Sequence, residues 1–177
     1  LLDLGGGWAG LLGENELSNP LLEKEASIIR NSLKANGFDE VKDLKIISEP
    51  GRYFNERTIS VGCTVTEVVR RGERFIYRLN EGVRGVFKDL LLCGLDFRVI
   101  PLKRDGLDLE KKCPSSIIGP SGRKNDVIVE DMELPEMKVG DHILFTRMGA
   151  YTISLSALPV RAAQKHVFFI RKSSLSN

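Results

Sequence analysis

This 177-residue chain has little of what builds metal sites or disulfide frameworks. Its three cysteines, Cys63, Cys93 and Cys113, stand far apart with no Cys-x-x-Cys pair, and its two histidines, His142 and His166, lie in separate apolar stretches. Neither a zinc site nor a disulfide scaffold is indicated, and a reducing compartment is the expectation. No apolar run reaches the length of a membrane span. The N-terminus lacks the basic flank and apolar stretch of a secretory signal, so a cytoplasmic protein is expected. An excess of one charge is missing too: 26 basic against 24 acidic side chains leave a formal charge of +2. That balance offers no broad surface for nucleic acid or membrane lipid, so partners must come from local features.

What is present is a change of rhythm along the chain. Leu1-Leu2-Asp3-Leu4 reads as a short buried strand that runs straight into Gly5-Gly6-Gly7. It starts without a polar lead-in, as a strand cut at its beginning does. From Ser18 the pattern predicts a helix, with Ser18 or Asn19 as N-cap, Pro20 in the first turn, apolar Leu21, Leu22, Ile28, Ile29 and Leu33, and Gly37 as the stop. Leu44 to Ser48 is a second short strand, closed by Glu49-Pro50-Gly51-Arg52. Strand, turn, helix, strand is a βαβ unit of a parallel sheet or barrel.

Beyond residues 54 to 58 the helical period gives way to alternation. Ile59, Val61, Cys63 and Val65 share one face, Arg71-Gly72-Glu73 is a turn, and Phe75 to Leu79 is the returning strand. Further strands are predicted at Phe97 to Ile100, Val127 to Val129, His142 to Phe145, Tyr151 to Ser154 and Val167 to Ile170. Ser173 to Asn177 is a polar tail. Arg98, Lys103, Arg104, Lys111 and Lys112 alternate with acids and read as a solvated loop, and His142 and His166 as core or sheet-face residues rather than ligands. Asp141 and His142 are adjacent on a strand and so face opposite ways, which argues against a catalytic pair.

Five motifs occur in order: the glycine turn, SEPGRYF, LNEGVRGVF, SSIIGP and DMELPEMKVGDHILFTRMGAYT. Together they resemble the C-terminal portion of the eukaryotic ornithine decarboxylase family, pyridoxal phosphate enzymes of polyamine (putrescine) biosynthesis. The resemblance covers nearly the whole chain. It implies an α+β fold, with residues 1–56 the remnant of the last βα units of a (β/α)8 barrel and residues 57–177 an all-β sandwich or barrel domain.

Consecutive glycines after a strand expose backbone N–H groups with no Cβ in the way, which suits a phosphate. The resemblance implies that Gly5, Gly6 and Gly7 hold the cofactor phosphate, joined by the planar fork of Arg52 and by Tyr151. It implies that Glu49 faces the pyridine nitrogen and keeps it protonated. Without the family context the glycines are a plain turn, Glu49 and Arg52 a surface ion pair of little worth, and Tyr151 a core aromatic.

On the substrate side the pattern departs from the family. Gly122 stands where the family has a proton-donating cysteine, and Arg123 where it has the aspartate that binds the substrate's distal ammonium. Arg84 replaces a usual tyrosine. Cys93 falls at a second substrate aspartate unless an insertion lets Asp96 serve, and Pro159 lies near a substrate-side aromatic. No lysine matches the Schiff-base motif, which belongs to the family's preceding barrel half. No catalytic residue is therefore expected to be retained. Asp126 and Gly149 match positions that support dimer packing, so a homodimer, or a heterodimer with a family member, is implied. A non-catalytic, antizyme-inhibitor-like protein, binding antizyme through the barrel half, and an inactive fragment are the alternatives.

Overall fold

The computed structural model describes residues 1–8, 10, 20–92, 94, 96–156 and 168. A short parallel pair, β1 (Leu2–Asp3) and β2 (Ile46–Ile47), is joined through helix α1 (Pro20–Ala35). The helix runs where the periodicity predicts and stops before Gly37, whose φ of 71° supplies the left-handed turn. The proposed N-caps Ser18 and Asn19 lie outside the described residues. No residue of α1 is buried, and Leu21, Ile28, Ile46 and Ile47 are all exposed.

A second, short helix α2 (Gly51–Asn55) leads into the larger unit, whose described residues form one six-stranded, nearly closed sheet. Its strands are β3 (Val61–Arg71), β4 (Arg74–Leu79), β5 (Arg98–Pro101), β6 (Lys112–Ile118), β7 (Val127–Pro135) and β8 (His142–Thr146), in spatial order β5-β8-β3-β4-β6-β7. All neighbours are antiparallel except β4 and β6. The β3–β4 hairpin turns on Gly72 and Glu73, with Gly72 at φ 63°, the geometry a two-residue hairpin loop asks for.

Alternation decides which side chains are inside. Cys63 and Val65 of β3, Phe75, Tyr77 and Leu79 of β4, Ile117 of β6 and Ile143 and Phe145 of β8 all point into one core. Phe87 and Phe97 close it from the β4–β6 crossover, edge-on to Phe145 at 4.7 and 5.4 Å. Tyr77 is fully buried, yet its hydroxyl donates to the Pro135 carbonyl at 3.0 Å and accepts from the Met137 amide at 3.1 Å. Burial pushes its phenol pKa up.

Three expectations are corrected here. β6 was not anticipated, because Pro114 and two serines break its apolar signal. Proline is tolerated there since pairing with β4 begins only at Ser115. Tyr151 to Ser154 is not a strand: Tyr151 has φ 57° and Ile153–Leu155 is a 3-10 turn. The basic stretch is not a free loop either, since Arg98 opens β5, Lys112 opens β6, and Arg104 makes a two-pronged ion pair with buried Asp141. His142, on the exposed face of β8, contacts the Thr64 hydroxyl at 3.1 Å. The predicted strand Val167 to Ile170, apart from Phe168, the tail from Ser173, and His166 lie outside the described residues.

Burial pushes the Asp141 carboxyl up, but the Arg104 guanidinium and the Lys138 amide more than offset this and hold it below the ordinary aspartate value. A depressed carboxylate stabilises the fold above its unfolded pKa, and that contribution is lost as pH falls through the folded value. Asp141→Asn is therefore expected to cost about 2 kcal/mol at neutral pH. Urea unfolding should show the gap between variant and parent closing below about pH 4.

Candidate functional site

The parallel register of β1 and β2, Leu2 beside Ile46 and Asp3 beside Ile47, brings the glycine turn and the Ser-Glu-Pro-Gly-Arg segment out at the same end. The Glu49 amide donates to the Gly5 carbonyl at 2.8 Å, and the Asp3 carboxylate accepts from the Gly5 amide at 2.9 Å. Trp8 Nε1 donates to the same Gly5 carbonyl at 3.1 Å. Gly5 and Gly7 have φ of 67° and 87° with open space where a side chain would stand. Gly6 is required for a different reason: its Cβ would lie 2.7 Å from the Glu49 carbonyl oxygen.

That carbonyl also accepts from the Gly51 amide at 2.8 Å, a tight three-residue turn over Pro50 (φ −79°, ψ 56°) that starts α2. Tyr151 lies over the start of α2, its hydroxyl 4.0 Å from where a Gly51 Cβ would be. The Arg52 guanidinium stands over the Tyr151 ring, 5.2 Å from its centroid. Gly6, Glu49, Gly51, Arg52 and Tyr151 thus form one contiguous surface. Tyr151 is exposed on it and so is not a core aromatic, and the ion pair that Arg52 makes is not with Glu49.

Arg52 has a different partner. Its Nη2 donates to Asp89 Oδ2 at 2.9 Å. Asp89 lies in the 3-10 turn Lys88–Leu91, and its side chain is 2% exposed against 22% for Arg52. The sequence gives only a weak hint of this, a lone acid inside the apolar run following Phe87. Glu56 was missed as well. It is buried, Gly10 can carry no side chain because its Cβ would collide with the Glu56 carboxylate, and burial pushes the carboxyl pKa up against the pull of Arg147 and Arg52.

The end of α2 is locked to the sheet. The Gly149 amide donates to the Glu56 carbonyl at 2.9 Å, and a Cβ on Gly149 would sit 1.6 Å from the Asn55 carbonyl oxygen. The bareness of Gly149 is thus used within the chain. Asp126 also works internally: its carboxylate accepts from the Val83 and Ser121 amides, both at 2.9 Å, against the faces of Gly82 and Gly119. Burial pushes its pKa up, but the Ser121 side chain and these amides prevail and bring it below the ordinary value.

Gly122 and Arg123 are exposed in the same β6–β7 turn. Arg84 is exposed. Asp96 is spent on Arg147, at 2.5 Å. Cys93 and Pro159 lie outside the described residues. A separate cleft of about 230 Å³ is lined by Arg57, Ser60, Arg98, Thr146 and Arg147. Among the described residues no cluster of histidine, cysteine or acids could hold a metal ion.

The nearly closed, mostly antiparallel six-stranded sheet is the architecture of a C-terminal sheet domain. Residues 16–149 match the pyridoxal-dependent decarboxylase C-terminal sheet domain, and the chain belongs to that family. It is 35% identical over 168 residues to the ornithine decarboxylase of Cricetulus griseus, and 34% identical over 169 residues to antizyme inhibitor 2 of Xenopus laevis. Each match takes in 89% of this chain and 36% of the relative, so the chain spans little more than a third of their length. The arginine decarboxylase of Paramecium bursaria Chlorella virus superposes with a TM-score of 0.73 at 29% identity, over 88% of this chain and 40% of that one.

Because the Gly149 contact leaves no room for a methyl group against backbone, Gly149→Ala is expected to destabilise the protein by about 3 kcal/mol. The midpoint of urea unfolding measures this.

Proposed function

We propose that this chain is the C-terminal section of a pyridoxal phosphate-dependent, ornithine decarboxylase-like protein whose cofactor side is kept and whose substrate side is altered. The observation that carries this reading is the contiguity of Gly6, Glu49, Gly51, Arg52 and Tyr151. The glycine turn fits a phosphate: side chains are barred at Gly6 and absent around Gly7, leaving their backbone accessible, while Gly5, whose amide donates to Asp3, shapes the turn. The turn of Gly5, Gly6 and Gly7, with Arg52 and Tyr151, would hold the phosphate, and Glu49 would face the ring nitrogen. When bound, the cofactor supplies an electron sink for loss of a carboxylate. Glu49 serves that chemistry by keeping the nitrogen protonated.

On this reading residues 1–56 are the last βα units of a barrel and residues 57–177 the sheet domain. The uncovered apolar side chains of α1 and β2, together with the length of the relatives, support a preceding barrel half that would cover them. The protein acts in the cytoplasm, in polyamine synthesis, as a homodimer or a heterodimer with a family member. Asp126 and Gly149 support that dimer by shaping the loops they anchor, rather than by free side-chain contact.

Ornithine turnover is not expected. Gly122 offers no proton donor, and Arg123 would set a cation against a substrate ammonium, a repulsion of about 1 to 4 kcal/mol at ~4 Å. A second reading is favoured by these losses together with the hold of Asp89 on Arg52: a regulatory binder resembling antizyme inhibitor, engaging antizyme through the barrel half.

The full-length protein decides between them. Under the first reading it shows the visible absorption of bound pyridoxal phosphate, and Arg52→Gln weakens cofactor binding by about tenfold or more. It releases no putrescine from ornithine. A colourless protein that competes for antizyme supports the second reading, and brisk putrescine release would contradict both.

A further inference from the structure

We propose that Asp89 is a built-in competitor for the phosphate-binding guanidinium, so that an anion reaches Arg52 only by displacing a carboxylate the fold already supplies. The proposal rests on the reading of Arg52 as a phosphate ligand and adds what limits its affinity.

The geometry makes Asp89 the fixed partner and Arg52 the movable one. Asp89 is anchored by its 3-10 turn, with the Leu90 amide donating to the Phe87 carbonyl at 3.1 Å and the Leu92 and Gly94 amides donating to the Asp89 carbonyl at 3.1 and 3.2 Å. Phe87, at the head of that turn, is fully buried against Phe145. The Asp89 side chain is 2% exposed against 22% for Arg52, so the carboxylate is the enclosed partner and the guanidinium the one that reaches solvent. Arg52 is a long side chain on the first turn of α2, partly exposed, with the face of Tyr151 on one side.

Charge sets the direction of the effect. A buried carboxylate deprived of its cation is strongly penalised, so Asp89 holds Arg52 against any rival anion. A phosphate arriving at the guanidinium also meets a like charge close behind it. Glu56, buried and within electrostatic reach of Arg52, adds a second acid to the same neighbourhood. Arg52 thus already faces the Asp89 carboxylate, with the Glu56 side chain nearby, before any ligand arrives.

The test measures binding of inorganic phosphate and of pyridoxal phosphate to the full-length protein by calorimetry and absorption, with thermal stabilisation by phosphate as a parallel readout. Asp89→Asn keeps the shape and removes the charge, and is expected to tighten both ligands by about tenfold or more. A residue that merely positions Arg52 or supports the fold would not raise affinity when neutralised, so unchanged or weaker binding overturns the proposal. The unaltered protein provides a second measurement should the variant not fold. In its structure with pyridoxal phosphate bound, the Arg52–Asp89 separation is expected to open beyond about 4 Å, and a retained short pair overturns competition. Arg52→Gln separates the two levels: if it leaves phosphate binding unchanged, the underlying reading of Arg52 fails, whatever Asp89 does.

Discussion

The bond from the Gly149 amide to the Glu56 carbonyl, with the Asn55 carbonyl pressed into the space a side chain would need, fastens α2 to the sheet. Everything around Arg52 depends on that seam. It places the helix carrying Arg52 beside the loop carrying Tyr151, and it holds both over the turn that presents Asp89. The neighbouring Met148 amide, bonded to the Ile59 carbonyl at 2.9 Å, continues the seam into β3. A backbone-to-backbone junction of this kind tolerates change in nearly every side chain around it except the glycine.

The second constraint is the Glu49 carbonyl, which accepts from Gly51 and fills the volume beside Gly6. Through it the end of β1 and the start of α2 share one atom. Gly6, Glu49 and Gly51 therefore stand or fall together, whereas Gly122 and Arg123 occupy a turn whose own shape is kept by Asp126. Two separately supported loop systems can change sequence separately, each without disturbing the backbone contacts of the other.

The periodic parts of the fold are legible in the sequence. Alternation through Val61, Cys63 and Val65, the Gly72 hairpin and the span of α1 followed from local rules that tertiary packing did not override. β6 was hidden because Ser115 is fully buried yet polar, its hydroxyl donating to the Cys113 carbonyl at 2.8 Å, so burial left no apolar trace. Tyr151 misled in the opposite way, as an alternating Tyr-Thr-Ile-Ser pattern folds into a left-handed residue and a turn held by the buried Thr152 hydroxyl bonding to the Met148 carbonyl. The adjacency of the glycine turn and Arg52 came from family resemblance, since no local rule brings residues that far apart together. The acids were beyond sequence reasoning: Asp89 finds Arg52, and Asp141 finds Arg104, each 37 residues away along the chain.

β4 and β6 run parallel, so the chain must travel from one end of the sheet back to the other between Leu79 and Lys112. Asp89 rides on that return path rather than on the sheet itself. An evolving lineage can consequently exchange this one passenger while every ladder of the scaffold stays paired. How the Arg52 guanidinium of the neighbouring helix is partnered, and how well the domain holds together, become traits that can drift independently.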